Sequence, residues 1–418
     1  MNKLLVIPIL AVILILLDVY TYPALKVFFT QVPRKLKNQL KILYGLIIGL
    51  TLIGLFAYHF LDRAYFPPAY RVPFMGFLFV TYFSKAVMAI ILLLGDSISF
   101  LQWGKRKITK MKGAEQTAVE GNKITRSDFV KKSAVVVAAL PFSTLGFGIL
   151  NGVHNYRVVR KQVMLPNLPS AFHGIKIGQL SDIHSGSFFN KKAVLGGVEM
   201  MLGEKPDVLF FTGDLVNNET KEVNDYFDIF SKVKAPLGVY STLGNHDYGN
   251  YKVWSSEKEK AKNMEDMYEA HKRLGWKLLN NEHEILTESG DKLAIIGVEN
   301  WGKGRFPKYG KLDLAHAGTD NAAVKLLLSH DPSHWDLQVR PDYPDIDLMF
   351  AGHTHGFQFG IETEYFRWSP SQYSYKQWAD LYKNESQYLY VNRGFGFLGF
   401  PGRVGINPEI TIVELLKG

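Results

Sequence analysis

The stretch IKIGQLSDIH, residues 175–184, is an apolar run that ends in a polar Asp-x-His pair. Short apolar runs between helix-like stretches are typical of buried strands in a layered α/β fold. The segment between Tyr248 and Trp276 has the composition of a helix. Six later segments repeat the layout of the first: PDVLFFTGDL (206–215), LGVYSTLGNHD (237–247), KLAIIGVEN (292–300), VKLLLSHDP (324–332), IDLMFAGHTH (346–355) and QYLYVNRG (387–394).

The residues that follow these runs are Asp, His and Asn, whose oxygens and nitrogens suit divalent Mn, Fe or Zn. Residues two apart on an extended chain point the same way. Asp-x-His and His-x-His pairs are therefore expected to face one metal cluster. A single such pair is typical of a surface turn, but five motifs in this order favour a metal site. Its candidate residues are Asp182, His184, Asp214, Asn245, His246, Asp247, His330, His353 and His355.

The motif set resembles the calcineurin-like metallophosphoesterase superfamily, whose blocks are D-x-H, G-D-x-x-[D/N], G-N-H-[D/E], a lone His and G-H-x-H. The sequences of four motifs are similar to those of its membrane-anchored bacterial branch, namely SDIH, LGNHD, SHDP and GHTHG. The resemblance covers about 170–418 and implies a four-layer α-β-β-α sandwich. Asn217 stands where many members have a second Asp, and Phe357 replaces a frequent Gly. Neither position is a ligand in the family pattern.

The resemblance also implies a site with two divalent metal ions bridged by Asp214. A water acidified by such a pair attacks the phosphoryl group, and the cations stabilise the charge that develops. His246 would donate a proton to the leaving oxygen. Asp247 would either fix the tautomer of His246 or cap a turn. The implied ligands are Asp182, His184 and His355 for one metal and Asn245, His330 and His353 for the other.

Two arginines and an aromatic stretch are further candidates near this site. Arg393 precedes the glycine-rich segment 394–405 and Arg403 lies in it, where both could bind substrate phosphates. Turn scaffolding accounts for the glycines equally well. The stretch 365–390 is rich in Tyr and Trp and could cover the pocket, lie at the bilayer surface, or pack as a connecting insert.

The first part of the chain predicts an all-α transmembrane domain, 1–156, ahead of a catalytic domain, 157–418. A span needs about 20 apolar residues. Asp18 and Lys85 fall inside the first and third spans. They are expected to form an interhelical pair or to extend toward the membrane surface, rather than to serve transport. Four segments are long enough: 4–22, 42–61, 74–94 and 134–153.

The charge distribution predicts an orientation in the membrane. The net charge is +9, and basic residues concentrate in the loops near 30–41 and 104–133. Basic loops stay cytoplasmic, so four spans place the catalytic domain outside the cytoplasmic membrane of a bacterium. If the fourth segment, which contains Pro141, lies along the interface instead, that domain stays inside. Because the basic runs lie in membrane loops, nucleic acid is not the expected partner.

The sequence therefore predicts a metal-dependent phosphoric ester hydrolase that contacts membrane lipids. It is expected to hydrolyse a phosphate ester or pyrophosphate bond of a phosphorylated small molecule or lipid, with a lipid-linked compound or a nucleotide as candidate substrates. The chain has no cysteine, which excludes disulfides, thiolate zinc sites and cysteine nucleophiles. The alternative is a transport or sensory protein with a non-catalytic metal domain. A missing ligand would mark that alternative, and every expected ligand is present. The oligomeric state is left open.

Overall fold

The computed structural model of the protein describes residues 3–30, 32–61, 67–110, 125–304 and 306–418. The chain divides into two compact units, Met1–Phe147 and Gly148–Gly418. This break lies nearer the N-terminus than the domain boundary placed at 156, which stays a prediction. Much of the second and third loops, 62–66 and 111–124, lies outside the described residues, and with it part of the charge pattern used for orientation.

All the regular secondary structure described in the first unit is α-helical, and four of its helices are long and apolar enough to cross a membrane. The four predicted spans are therefore confirmed as membrane-competent helices, although the third helix extends well beyond 74–94. The helices are α1 (Lys3–Phe28), α2 (Arg34–Phe60), α3 (Pro68–Lys110) and α4 (Arg126–Phe147).

A polar cluster joins three of these helices in the interior of the first unit. Asp18 of α1 forms an ion pair with Lys85 of α3, and both side chains are buried. Tyr44 of α2 donates a hydrogen bond to Asp18 Oδ1 at 2.9 Å, and Tyr82 of α3 donates to Oδ2 at 2.8 Å. The predicted interhelical pair is confirmed, since the ionised groups satisfy one another away from water.

The second unit contains two six-stranded sheets. The strand order of the first sheet is β1-β14-β2-β3-β4-β5, and all its neighbours are parallel except β14 with β2. Its strands are β1 (Arg157–Leu165), β2 (Lys176–Leu180), β3 (Val208–Thr212), β4 (Val239–Thr242), β5 (Lys277–Leu278) and β14 (Glu409–Lys417).

The order of the second sheet is β12-β13-β9-β8-β7-β6, with a parallel centre and an antiparallel strand at each edge. Two short strands, β10 (Ile361–Glu362) and β11 (Arg367–Trp368), form a separate ribbon. The strands of this sheet are β6 (Glu282–Glu288), β7 (Asp291–Gly297), β8 (Val324–Leu328), β9 (Leu348–Ala351), β12 (Asp380–Asn384) and β13 (Gln387–Val391).

The sheets face each other across one core, in which Phe210 of the first sheet meets Phe350 of the second with ring centroids 5.1 Å apart. Helices cover both outer faces. On the first sheet, the ring centroid of His271 in α7 (Glu257–Leu274) lies 6.0 Å from that of Phe211. On the second, Leu312 of α8 (Leu312–His316) packs into the cluster of Ile296. The remaining helices are α5 (Lys191–Gly203), α6 (Phe227–Phe230) and α9 (Arg340–Asp342).

This arrangement is the predicted four-layer α-β-β-α sandwich, preceded by the predicted helical membrane unit. The predicted helix before Trp276 is α7. The Ser256 side chain caps its N-terminus by accepting from Glu259 N, and Gly275 ends it in a left-handed conformation. Each of the seven predicted apolar runs contains a strand.

Candidate metal centre

The candidate ligands follow five parallel strands at their carboxyl ends. Asp182 and His184 come after β2, Asp214 after β3, and Asn245 after β4. His330 follows β8, and the pair His353 and His355 follows β9. Because the first three strands belong to one sheet and the last two to the other, packing of the two sheets brings the ligands together.

Five of these residues have a left-handed backbone, with φ between 49° and 71°. Positive φ is uncommon for residues other than glycine and is concentrated at functional sites. The expectation that each pair lies on an extended chain is therefore wrong, because sharp turns rather than strand geometry direct the side chains to the site. The five residues are Asp182, His184, Asp214, His353 and His355.

The first donor group consists of Asp182, His184 and His355, whose donor atoms lie within 4.8 Å of one another. His184 Nε2 is 3.0 Å from His355 Nε2, and His355 Nε2 is 3.2 Å from Asp182 Oδ1. Asp182 also accepts the main-chain N–H of His353 at 3.0 Å, which ties β2 to β9 across the sheets. Bonds of about 2.0–2.2 Å to one metal ion place neighbouring donors about 3 Å apart.

The second donor group consists of Asp214, His330 and His353. Asp214 Oδ2 lies 3.1 Å from His330 Nε2, and His353 Nδ1 lies 3.3 Å from the same nitrogen. The Nδ1 of His330 is bonded to the main-chain oxygen of Thr212 at 2.7 Å, so its Nε2 faces the site. Asp214 Oδ2 is also 3.5 Å from His184 Nε2, which places it between the two groups.

Asn245 adds an amide oxygen beside the second group. Its Nδ2 donates to the Tyr251 hydroxyl at 2.8 Å, while its Oδ1 is buried without a hydrogen-bond partner in the part of the chain that the structure describes. A buried acceptor left in this state is costly unless something else occupies it. The unpartnered oxygen, the imidazoles and the carboxylates together fit a pair of divalent metal ions.

Burial and the neighbouring charges set the protonation of these groups. Burial lowers the pKa of His184 to about 3, which favours the neutral imidazole that metals bind. Burial alone would lower the pKa of His330, but the Asp214 carboxylate raises it to about 10. That imidazolium in turn holds the pKa of Asp214 well below its usual range despite burial. A bound cation would replace the proton on His330.

Two regions of the chain match known families. Residues 2–153 match "Probable Calcineurin-like phosphoesterase, transmembrane domain", and residues 175–357 match "Calcineurin-like phosphoesterase". The chain belongs to the calcineurin-like phosphoesterases. It is a membrane-anchored metallophosphoesterase, which confirms the predicted family, fold class and enzyme class.

Relatives of this phosphoesterase occur in animals and bacteria. It is 27% identical over 277 residues to "Transmembrane protein with metallophosphoesterase domain" of Danio rerio, which covers 64% of this chain but only 59% of that one. It is 26% identical over 304 residues to metallophosphoesterase YkuE of Bacillus subtilis, covering 70% of this chain and 98% of the relative. It is 28% identical over 287 residues to UDP-2,3-diacylglucosamine pyrophosphatase LpxG of Chlamydia trachomatis, covering 57% and 83%.

His246 lies beside the first donor group of the phosphoesterase, with its ring centroid 5.0 Å from that of His184. Its main-chain N–H donates to Asp214 Oδ1 at 2.8 Å. Its Nδ1 contacts the main-chain oxygen of Asn217 at 2.7 Å, so Nδ1 carries the hydrogen and Nε2 is left to exchange protons. Asn217, which stands where many family members have Asp, therefore fixes the tautomer through its backbone.

The sequence left two roles open for Asp247, fixing the tautomer of His246 or capping a turn. The structure shows the turn cap. The Asp247 carboxylate accepts main-chain N–H groups from Asp214 at 2.9 Å, Leu215 at 2.8 Å and Gly244 at 2.9 Å. The interpretation that it fixes the tautomer of His246 is wrong, because the Asn217 oxygen occupies that nitrogen. Asp247 instead joins the loops after β3 and β4.

Arg393 and Arg403 are each 1% exposed, and the Nη atoms of both contact protein acceptors. Arg393 forms ion pairs with Glu409 and Glu362. Arg403 Nη2 donates to the oxygens of Gly396 and Arg393 at 2.6 and 2.8 Å and lies 3.3 Å from His355 Nδ1. A contact of either with substrate stays a prediction, while their visible role is to hold the glycine-rich segment beside His355.

The sequence did not single out two tyrosines that reach the site. Tyr375, from the aromatic stretch 365–390, lies 2.7 Å from His353 Nε2 through its hydroxyl. Tyr251 stacks on His246 with ring centroids 4.2 Å apart. Aromatic composition was the only signal for Tyr375. Tyr251 lies five residues after His246, whereas Tyr375 reaches His353 across 22 residues, and neither contact belongs to a motif that the sequence analysis used.

Proposed function

We propose that this protein hydrolyses a phosphate ester or pyrophosphate bond with two divalent metal ions, Mn, Fe or Zn. The position of Asp214 carries the proposal, because one carboxylate oxygen lies 3.1 Å from His330 Nε2 and 3.5 Å from His184 Nε2. That oxygen therefore lies between the two donor groups, nearer to His330 than to His184. The proposed ligands are Asp182, His184, Asp214 and His355 on one side and Asp214, Asn245, His330 and His353 on the other.

When bound, a metal pair acidifies water and neutralises the charge of the transferring phosphoryl group. The protein supplies the rigid frame for this chemistry. Cross-sheet bonds fix the ligands, such as that from His353 N to Asp182, and the Asp247 carboxylate holds the turns that present Asp214 and Asn245. A site preorganised in this way needs little rearrangement as the reaction proceeds.

His246 is the proposed proton donor to the leaving oxygen. Its Nδ1–H is committed to Asn217, so the proton that it gives or receives resides on Nε2. Tyr251 stacks on one face of the ring and restricts its rotation. The side chain is half-buried beside the first donor group, within reach of a substrate at the site.

A phosphorylated lipid is the substrate class that we favour, with a phosphorylated small molecule as the wider class. The first unit anchors the enzyme in a membrane, which concentrates it where lipids are. The relative from Chlamydia trachomatis is named for hydrolysis of a lipid-bearing pyrophosphate, UDP-2,3-diacylglucosamine. A pyrophosphate bond presents two charged phosphoryl groups, which suits a site with two cations.

We further propose that the protein lies in a bacterial cytoplasmic membrane with its catalytic unit outside the cytoplasm. Basic residues at the α1–α2 connection, such as Lys37 and Lys41, support a cytoplasmic position for that connection. Four spans then return the chain to the outer side. Fusion of a periplasm-active reporter after residue 160 should give signal, and activity of a cytoplasm-only reporter at that point would reverse the orientation.

A substrate panel tests the proposed activity. The detergent-solubilised chain with added manganese should hydrolyse at least one of three probes, namely a phosphate diester, a phosphate monoester or a lipid pyrophosphate. Asp214→Asn should abolish this turnover, since it removes the shared carboxylate. Absence of metal-dependent turnover with every probe, in protein shown to contain metal, would favour a sensory or transport role instead.

A further inference from the structure

A cavity of about 330 Å³ lies in the first unit, between the end of α1 and the start of α2. Most of its lining is apolar or aromatic, and Tyr22 and Tyr44 meet within it with ring centroids 5.2 Å apart. Three lysines complete the wall: Lys26, in the last turn of α1, and Lys37 and Lys41 of α2. The described lining contains no carboxylate.

The three lysines differ in how they are used. Lys37 Nζ donates to the main-chain oxygen of Thr30 at 2.7 Å and so stabilises the connection between the helices. Lys26 and Lys41 are exposed and have no acidic partner among the residues that the structure describes. The buried acid closest in sequence, Asp18, is already paired with Lys85. Two positive charges at the cavity therefore remain uncompensated.

We propose that this cavity binds an anionic phospholipid of the bilayer, with its phosphate at the lysines and part of an acyl chain along the apolar wall. The lining has a basic part and an apolar part, which correspond to the charged headgroup and the acyl chains of the lipid. Leu40 and Ile47 lie along α2 beside the lysines and are half-buried, which leaves apolar surface for a chain. Basic side chains near the end of a membrane helix attract anionic headgroups.

The position of the cavity explains why a lipid is the fitting occupant. α1 and α2 are both long and apolar enough to cross a membrane, so the connection between them lies at headgroup depth. A soluble phosphate would gain nothing from the aromatic and aliphatic wall. A neutral lipid would leave Lys26 and Lys41 without a counter-ion.

Lipid binding to the full chain in a neutral detergent tests the proposal. Native mass spectrometry would compare phosphatidylglycerol with phosphatidylcholine of identical acyl chains, and the wild type should retain phosphatidylglycerol preferentially. Each lysine near an anionic headgroup contributes about fivefold, so Lys26→Gln/Lys41→Gln should bind it roughly 20- to 30-fold more weakly. Lys37 is left intact in this variant because it supports the helix connection.

Two further variants distinguish binding at a specific site from non-specific attraction of anionic lipid to a basic surface. Lys131→Gln/Lys132→Gln removes two lysines of α4 that do not line the cavity and should bind as the wild type does. Leu40→Trp fills the cavity without changing charge and should weaken binding. Equal retention of both lipids, equal losses in the two lysine variants, or unchanged binding by Leu40→Trp would each overturn the proposal. All variants are compared at matched helical circular dichroism.

Discussion

Five of the candidate ligands have a backbone conformation that is unfavourable for residues other than glycine. A left-handed backbone costs roughly 1–2 kcal/mol for a residue other than glycine. Asp182, at φ 52°, is fixed there by Gly213 O, which accepts its N–H at 2.9 Å, and by the His353 N–H. The rest of the sandwich therefore stabilises these conformations of the site.

His246 provides the sharpest test of the proposed chemistry at the level of one side chain. His246→Ala should lower turnover by about 10²- to 10⁴-fold, the usual contribution of a positioned general acid. Metal content should stay unchanged, because only the main-chain N–H of this residue contacts Asp214. Steady-state rates and elemental analysis on the same preparation measure both. If the His246→Ala variant retained wild-type turnover, His246 would have no part in the mechanism. If the variant lost metal, the role of His246 would be structural.

Gly352, just before His353, tests how closely the site is packed. A Cβ at this position would overlap the Ser181 hydroxyl and the Asp182 carboxylate. Gly352→Ala should therefore displace Asp182 and reduce the bound metal, as measured by elemental analysis. Gly196→Ala is the matched control, since a Cβ there meets nothing within 4 Å in the interior of α5. It should keep its metal and gain about 0.5–1 kcal/mol of stability.

The residue types at the site could be predicted from the sequence, and their conformations could not. Asp, His and Asn after apolar runs indicated metal chemistry because each motif is local. The oxygen that fixes the tautomer of His246 belongs to the main chain of Asn217, 29 positions away, and carries no side-chain signal. The burial of Arg393 against Glu409 likewise depends on β14 lying in the first sheet.

At the level of elements, the membrane helices are linked by charge as well as by apolar packing. Asp18→Asn should lower the thermal unfolding midpoint in detergent, because it leaves the buried Lys85 ammonium without its counter-ion. Breaking a buried pair costs about 3–5 kcal/mol. Asp18→Leu/Lys85→Met should recover part of that loss, since no unpaired charge remains. Asp96→Asn, an exposed acid bonded to Tyr20, is the control and should change stability little. Equal effects of Asp18→Asn and Asp96→Asn would contradict this account.

The sequence missed two kinds of strand, those with distant partners and those at the edges of the second sheet. β1 pairs in parallel with β14 through nine residues, from Arg157 with Glu409 to Leu165 with Lys417. Neither strand is followed by a polar motif, and their pairing spans more than half of the chain. The edge strands β6 and β12 are partly exposed and less apolar than their neighbours, so hydrophobic runs did not reveal them. Strand order could not be predicted either, because it depends on pairing between segments that are far apart in the sequence.

At the scale of the whole catalytic unit, the site exists only where the two sheets meet. Gln179 of β2 donates to Ala351 O at the end of β9 at 3.0 Å, and His330 after β8 contacts Thr212 O of β3 at 2.7 Å. The two donor groups draw on both sheets. Unfolding therefore separates the ligands, and metal affinity is linked to the stability of the sandwich.

Metal removal should accordingly destabilise this unit. A cation at 100 times its dissociation constant stabilises the state that binds it by about 2.7 kcal/mol. Manganese added to chelator-treated protein should raise the unfolding midpoint by roughly 5 °C or more. Asp214→Asn should respond much less, because both donor groups lose their shared carboxylate. Differential scanning calorimetry of the two proteins, with and without manganese, measures the difference. An equal rise of the unfolding midpoint in both proteins would show that manganese binds elsewhere on the molecule. It would contradict the proposal that the metals bind at this edge of the sandwich.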